Sequence, residues 1–327
     1  MPSRSPPRVV VLGGAVMDLV FPVRDLPRWG QSVQAHSFDM YPGGKGLNQA
    51  VAAARLGAKV SLITAIGSDE FGVRILKYLE AHRISLDFVE VARNDGTDVT
   101  CVMVGDTGHA AFVGWKGTTV KQVGKAEVRR AQARIEAADA VLITFEVSLA
   151  AVQEAVAIAS KKGALVVLDP APPLDPLDPP PYSLLPNVDL IVPTRWEATQ
   201  LLRVEDGEPT ALARLLRDAG ARGACVTVPE YGCALATRDS TAQYPSLLIG
   251  KPVDTTGGTD AFCAASAVAL TKGFDLERAV TMGNAAAAIA VMRRGGSPSM
   301  PTTEELNLLL RQRRVSIQLD TNSGLRG

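Results

Sequence analysis

Two stretches of this chain gather residue types that could do chemistry. The later one, "VDTTGGTDAFCAASAVAL" over 253–270, places three threonines, the paired glycines Gly257 and Gly258, and Asp260 at the head of an alanine-rich run. Two readings fit. Thr and Asp side chains cap the free N–H groups of a helix's first turn. Alternatively, the glycines let an anion such as a phosphate reach those N–H groups, with Asp260 taking part in the reaction. The earlier stretch, "YPGGKGLNQAVAAARLGA" over 41–58, carries Gly43, Gly44 and Gly46, which permit close backbone approach. Its Lys45 and Asn48 can hydrogen-bond a polyhydroxylated ligand. It is not a Walker A loop, because the spacing differs and Gly46 follows the lysine where Ser or Thr is required. "VLGGAVMD" lacks GxGxxG, which argues against a dinucleotide-binding dehydrogenase. Each stretch alone has a plainer account, a capped helix and a tight loop.

The elements that must hold these residues follow from the alternation of short apolar runs with helical patterns. That alternation is the mark of a parallel sheet covered on both faces. "RVVVLGG", "KVSLITAIG", "AVLITFE", "ALVVLDPAP", "VDLIVPT" and "GACVTV" read as strands. "LNQAVAAARLGA" reads as a helix closed by Gly57, and Phe71, Ile75 and Leu79 share one face of the next. Ser148 is the expected N-cap of "SLAAVQEAVAIASKKG", with Gly163 past its end. Two more helices are expected from about Asp260 to Lys272 and Leu276 to Arg293. The expected fold class is α/β, a three-layer core with a mostly parallel central sheet and a small β-sheet lid. The lid strands come from about 16–42 and 97–115, the second a hairpin turning at Asp106-Thr107-Gly108. Such a sheet would cover the crevice at the strands' C-terminal edge. One domain over 8–315 is expected, with disordered tails at 1–7 and 316–327 and a stiff proline-rich connection, "DPAPPLDPLDPPPYSLLP".

Composition narrows the partners. Among 327 residues, 34 Lys and Arg balance 34 Asp and Glu, so no basic surface calls for nucleic acid or an anionic membrane. An anionic ligand must therefore be held locally. No apolar run approaches the roughly 20 residues of a membrane span, and "MPSRSPPRVVVLGG" has no secretory core, so a cytoplasmic location is expected. Cys101, Cys225, Cys233 and Cys263 form no CxxC pair, and with three histidines they read as reduced thiols rather than a zinc site.

Taken together, the two glycine stretches resemble the signatures of the ribokinase-like, phosphofructokinase-B type carbohydrate kinases: an N-terminal GGxxxN and a C-terminal DTxGAGD. "GGKGLNQAVAAARLGAKVSLITAIG" fits the first throughout and is most similar to its ribokinase branch, while "LITFEVS", "LDPAP" and "GNAAAAIAVMRRGGSPSMP" follow in family order from about Val9 to Arg313. The resemblance implies an ATP-dependent kinase that phosphorylates a hydroxyl of a sugar or sugar-like metabolite. It assigns Asp18, Gly44, Lys45, Gly46, Asn48 and Glu146 to the sugar. Asp260 becomes the general base, with the N–H groups of Gly257, Gly258 and Thr259 as an anion hole. Thr194, Glu197, Thr227, Gly232 and Asn284 fall on the ATP side. Asp254, Thr256, Ala290, Arg293, Gly295 and Ser299 match a loop around a monovalent cation of the K⁺ type. Mg²⁺ would bridge the nucleotide phosphates largely through water. A homodimer through the lid is a further expectation.

The physical logic agrees. Phosphoryl transfer asks for in-line positioning and charge stabilisation, and a helix N-terminus carries roughly half a positive charge with outward N–H groups. The chain also departs from the family pattern. Thr259 replaces a glycine, which would be strained at a positive φ. Thr194 stands for the asparagine of NxxE, Pro229 for a phosphate-proximal glycine, and Val16 for an asparagine touching the sugar. Two alternatives therefore stay open: a sugar- or nucleotide-binding protein with weak or lost kinase activity, and a nucleoside kinase.

Overall fold

The computed structural model describes residues 5–315 apart from 94, 116, 118–122, 176–177 and 229–230. The chain begins with β1 (Arg8–Leu12), β2 (Val16–Pro22), β3 (Asp39–Gly43), α1 (Lys45–Arg55), β4 (Lys59–Gly67) and α2 (Glu70–Ala81). Next come β5 (Val89–Ala92), β6 (Val99–Val104), β7 (Ala110–Trp115), α3 (Lys125–Arg130), α4 (Gln132–Glu136), β8 (Ala140–Thr144) and α5 (Leu149–Lys162). After β9 (Leu165–Asp169) and β10 (Leu190–Ile191) stand α6 (Arg195–Leu202), α7 (Pro209–Asp218), β11 (Ala224–Val228), β12 (Gly232–Ala236) and β13 (Thr241–Pro245). The chain closes with α8 (Gly258–Thr271), α9 (Leu276–Ala290) and α10 (Thr303–Gln312).

Nine strands form one sheet in the order β13-β12-β11-β10-β9-β8-β1-β4-β5. Pairing is parallel from β11 to β5, and the β12–β13 hairpin closes the other edge antiparallel. The period-2 alternation of a strand divides the core in two. Val9 and Val11 of β1 enter one apolar cluster with residues of α1, α2, α8, α9 and α10, whereas Val10 and Leu12 enter a second with α3 to α7. Helices thus cover both faces, and the three-layer α/β expectation holds. The expected caps hold as well: Ser148 accepts from the Ala151 N–H, and Gly163 ends α5 at φ 75°.

A separate four-stranded sheet, ordered β3-β2-β6-β7, stands beside the core. The expected hairpin is there, β6 against β7, with the Gly108 N–H donating to Gly105 O at 2.8 Å. This small sheet is fastened over the strand ends, since Ser297 Oγ donates to the carbonyl of Pro42 just after Tyr41. The hairpin β12–β13, the strand β5 and the helices α3, α4, α6, α7 and α10 were not read from the sequence. The helix expected to reach Arg293 stops at Ala290, and a turn follows. Of the expected tails, residues 1–4 and 316–327 lie outside the described residues, while Pro7 O accepts from the Lys59 N–H at 2.8 Å.

Candidate active site

The site lies where β1, β8 and β9 end and the lid sheet begins. Two glycine contacts bring the backbones together. A Cβ on Gly46 would stand 2.5 Å from the Gly13 carbonyl carbon, and one on Gly44, at φ 90°, 2.8 Å from Gly14 O. Only glycine fits either position. Glu146, two residues past β8, then staples the loop. Its Oε2 accepts from the N–H groups of Gly14 (2.6 Å) and Gly46 (3.0 Å) and from Thr144 Oγ1 (3.0 Å). Its Oε1 accepts from the Lys45 N–H at 2.9 Å. The residue expected to meet the sugar is thus also the anchor of the glycine loop. Gly13 and Gly14, set aside in the sequence for lacking GxGxxG, are the partners of that loop; their signal was a glycine pair directly after a buried strand.

Asp18 projects from β2 into the space a side chain at Gly43 would occupy. It is 5 % exposed. Burial first, and then the nearby charges of Glu146, Asp260 and Asp254, push its pKa up to about 8, so the carboxyl holds its proton at neutral pH. Val16 opens the same strand and pairs with Gly43.

Lys45, Asn48 and Gln49 fall on one face of α1 by the i, i+3, i+4 rule, and that face meets Asp260. Asn48 Nδ2 donates to Asp260 Oδ2 at 2.9 Å, across 212 positions of sequence. Lys45 Nζ lies 3.3 Å from Asp260 Oδ1 and 3.0 Å from Asp169 Oδ2. Gln49 Nε2 reaches the same two atoms, at 2.9 Å to Asp169 and 3.3 Å to Asp260. Burial pushes the Lys45 pKa down, but the carboxylates of Asp169 and Asp260 outweigh it and hold the ammonium well above the usual lysine range. Asp169 and Gln49 were not singled out in the sequence.

Asp260 sits in the first turn of α8, whose N-cap Gly257 has φ 80° and whose start has no side-chain cap. The start of α1 at Gly44 is likewise uncapped by a side chain. Five other helices, α2, α5, α6, α9 and α10, are capped by Asp69, Ser148, Thr194, Asp275 and Thr302. The side-chain capping reading of the 253–270 stretch is therefore corrected: no threonine or aspartate side chain caps α8, and of its first N–H groups that of Gly258 donates to Thr255 O at a long 3.3 Å. Positive φ falls on Gly257 and not on Thr259, which lies within α8, so the strain feared at Thr259 does not arise.

On the far side of α8, Thr227, Gly232, Gly258, Thr259 and Asn284 line one cleft with Phe262 and Ala287. Asn284 Nδ2 donates to Pro245 O at 2.7 Å, so its side chain is tied to the end of β13 rather than capping a helix. Thr194 and Glu197 form a reciprocal capping box at the start of α6: Thr194 Oγ1 accepts from the Glu197 N–H at 3.2 Å and Glu197 Oε2 from the Thr194 N–H at 2.7 Å. Threonine thus fills the asparagine position with a good cap. Pro229 lies outside the described residues.

Asp254 is fully buried, accepting from the N–H groups of Thr256 (2.9 Å) and Gly295 (2.8 Å). No ion pair of Asp254 occurs among the described residues, and the buried hydroxyl of Thr256 has no hydrogen-bond partner there. Ala290 and Arg293 meet in the turn after α9, where the Arg293 N–H donates to Ala290 O at 3.1 Å, while the Arg293 guanidinium turns away to Glu305. Ser299 Oγ donates to Gly296 O at 2.7 Å.

Comparison with known proteins gives this arrangement a lineage. The sequence profile of the pfkB family carbohydrate kinases matches residues 6–303. A ribokinase of Bacillus subtilis is 32 % identical over 305 residues, 92 % of this chain and 99 % of that protein. A deoxyribokinase of Salmonella typhi is 31 % identical over 306 residues, 91 % of this chain and 97 % of that one. The structure of Arabidopsis thaliana ribokinase complexed with ribose and ATP superposes with a TM-score of 0.79 at 26 % identity, covering 94 % of this chain and 99 % of that one. With a matched profile over nearly its whole length, this chain belongs to the pfkB family and is an ATP-using carbohydrate kinase.

Proposed function

We propose that the chain transfers the γ-phosphoryl group of ATP to a hydroxyl of a pentose-like sugar, with Asp260 as the base. The observation that carries this reading is the Asp260 carboxylate itself, held by Asn48 and Lys45 of the sugar-side loop while standing in the first turn of an uncapped helix. The sugar hydroxyl gives its proton to Asp260, its oxygen forms the new bond to phosphorus, the bond from phosphorus to the bridging oxygen of ADP breaks, and ADP leaves. The N–H groups of Gly257, Gly258 and Thr259 take up negative charge on the moving phosphoryl group, which is where transition-state stabilisation counts most. Lys45, Asn48 and Asp18 orient the hydroxyls, and Glu146 keeps the loop in place. The cleft of Thr227, Gly232 and Asn284 would take the base and ribose of the nucleotide, with Thr194, bridged to Thr227, and its capping partner Glu197 toward the phosphates.

Mg²⁺ would neutralise the phosphate oxygens, and Glu197 is the carboxylate placed to meet it through water. A K⁺-sized ion would find oxygen donors in the buried loop, in the Asp254 carboxylate and in the Thr256 hydroxyl, which among the described residues have no ion pair and no hydrogen-bond partner respectively. The reading extends to one kinase domain over 8–315, a cytoplasmic setting in keeping with free thiols, and a homodimer through the lid. The edge strand β7 favours the dimer, since Phe112, Val113 and Trp115 are all more than half exposed. Sedimentation of a Val113→Asp variant as a monomer, against a wild-type dimer, checks that point.

The test is a panel of pentoses, 2-deoxypentoses, hexoses and nucleosides with ATP, monitored for ADP release, with Mg²⁺ and K⁺ withheld in turn. ADP release with a pentose, lost without Mg²⁺ and weakened when K⁺ gives way to tetramethylammonium, is the expected result. No release with any sugar, alongside thermal stabilisation by one of them, would make the chain a sugar binder and overturn the proposal.

A further inference from the structure

Asp169 has no part in the reading above, yet it is as deeply buried as Asp254 and touches both Lys45 and Gln49 of α1. It ends β9, pairs with Thr144 of β8 in the sheet register, and is 0 % exposed. Its Oδ2 takes the Lys45 ammonium at 3.0 Å and the Gln49 amide at 2.9 Å. Both donors lie farther from Asp260 Oδ1, at 3.3 Å each. The second oxygen, Oδ1, is buried without a hydrogen-bond partner. A carboxylate kept for fold alone would be expected to use both oxygens, because an unsatisfied buried acceptor is costly. Burial pushes the Asp169 pKa well above the usual carboxylate range and the Lys45 ammonium 3.0 Å away opposes that shift, so the charge of Asp169 exists through its pairing with Lys45.

We infer that Asp169 is a positioning residue for phosphoryl transfer: its carboxylate draws the Lys45 ammonium away from Asp260 and so leaves Asp260 free to accept the proton of the sugar hydroxyl. Lys45 cannot relieve the competition by losing its own proton, since the surrounding carboxylates hold it charged. Neutralise Asp169, and the ammonium has one carboxylate left to pair with. It settles on Asp260, and a base fully engaged with a cation is a poor acceptor of a second proton. Gln49 braces the same geometry by bridging the two carboxylates. The Glu197 charge and the buried thiol of Cys263 are the other titratable groups felt by Asp169 or by its partners.

The inference rests on Asp260 acting as the base, and the experiment separates the two ideas. Wild type, Asp169→Asn, Lys45→Met and the double variant are compared at saturating ATP and saturating acceptor, the acceptor being the sugar that gives ADP release. With the lysine present, Asp169→Asn should lower kcat at least about 10²-fold, the lower end of what loss of a general base accounts for, while the KM for ATP moves less than twofold. With the lysine absent, the same substitution should cost nothing, so that Lys45→Met and the double variant have equal kcat. The double variant removes both buried charges together, so it decides the matter even if Asp169→Asn does not fold. A double variant far slower than Lys45→Met would overturn the inference, showing that Asp169 acts independently of the lysine. Should Asp260→Asn retain turnover, the base assignment falls and the inference with it; should Asp260→Asn be inactive while the two substitutions simply add, the role of Asp169 alone is refuted.

Discussion

At the scale of single residues, the charge balance of the sugar-side pocket is unusual. Asp18, Glu146, Asp254 and Asp260 crowd one another, and the burden falls on Asp18, whose pKa of about 8 against 3.8 for a free side chain has burial as its first cause. The sign follows from proton binding. Between about pH 4 and 8 the folded chain holds a proton that the unfolded chain lacks, so this group's contribution to stability is full at low pH and is lost as pH rises through about 8. Asp18→Asn should therefore stabilise the ligand-free protein at pH 8–9, by on the order of a few kcal/mol, while weakening sugar binding at least about tenfold through loss of an acceptor. Thermal unfolding against pH and sugar titration by calorimetry read the two effects, and a variant less stable than wild type at pH 9 would contradict the assignment. Asp18, Lys45, Asn48 and Asp260 were legible in the sequence because their motifs carry them. Asp169 and Gln49 were not. One ends an ordinary strand and the other sits mid-helix, and their pairing exists only because α1 lies across the end of β9.

At the scale of elements, the two helices that frame the site, α1 and α8, both begin at a glycine and have no side-chain cap. A glycine N-cap costs only about a few tenths of a kcal/mol relative to a Ser, Thr, Asp or Asn cap, and α8 begins where the phosphate would accept those hydrogen bonds. Gly257→Ala tests how far this geometry matters. The position has φ 80°, and an added Cβ would lie 2.7 Å from Met300 Cε. A loss of about 1–3 kcal/mol in unfolding free energy is expected from the backbone alone. A fall of at least about tenfold in kcat is expected as the first-turn N–H groups shift, measured by denaturant titration and steady-state rates. Wild-type kcat in the variant would show that those N–H groups do not bear on the transition state. The sequence displayed α1, α2, α5, α8 and α9 through their periodicity, and the cap of α5 through Ser148. It did not display α3, α4, α6, α7 and α10, nor the β12–β13 hairpin, since "GCALA" is too short and small-residued to register as a strand until β11 offers it a register, Val228 opposite Gly232.

At the scale of the whole molecule, the fold's work is to bring positions 48 and 260 within 2.9 Å. Parallel strands deliver Gly14, Glu146 and Asp169 to one edge of the sheet, and the small mixed sheet, whose β2 and β6 run parallel, brings Asp18 to them. That architecture was legible from alternation alone, since each buried strand needs helices on both faces and the interrupted segments had no helix to pair with. What alternation could not give was the order of the nine strands or the closeness of the two glycine stretches, which are properties of tertiary packing. The claim that these distant segments act on one hydroxyl is tested most directly by Asp260→Asn, with sugar binding followed by calorimetry and turnover by ADP release. The account predicts that turnover falls by at least about 10³-fold, the loss of a base together with distortion of the helix start, while the sugar's Kd changes less than about threefold, within the energy of one neutral hydrogen bond. Turnover within tenfold of wild type, at unchanged sugar affinity, would contradict it.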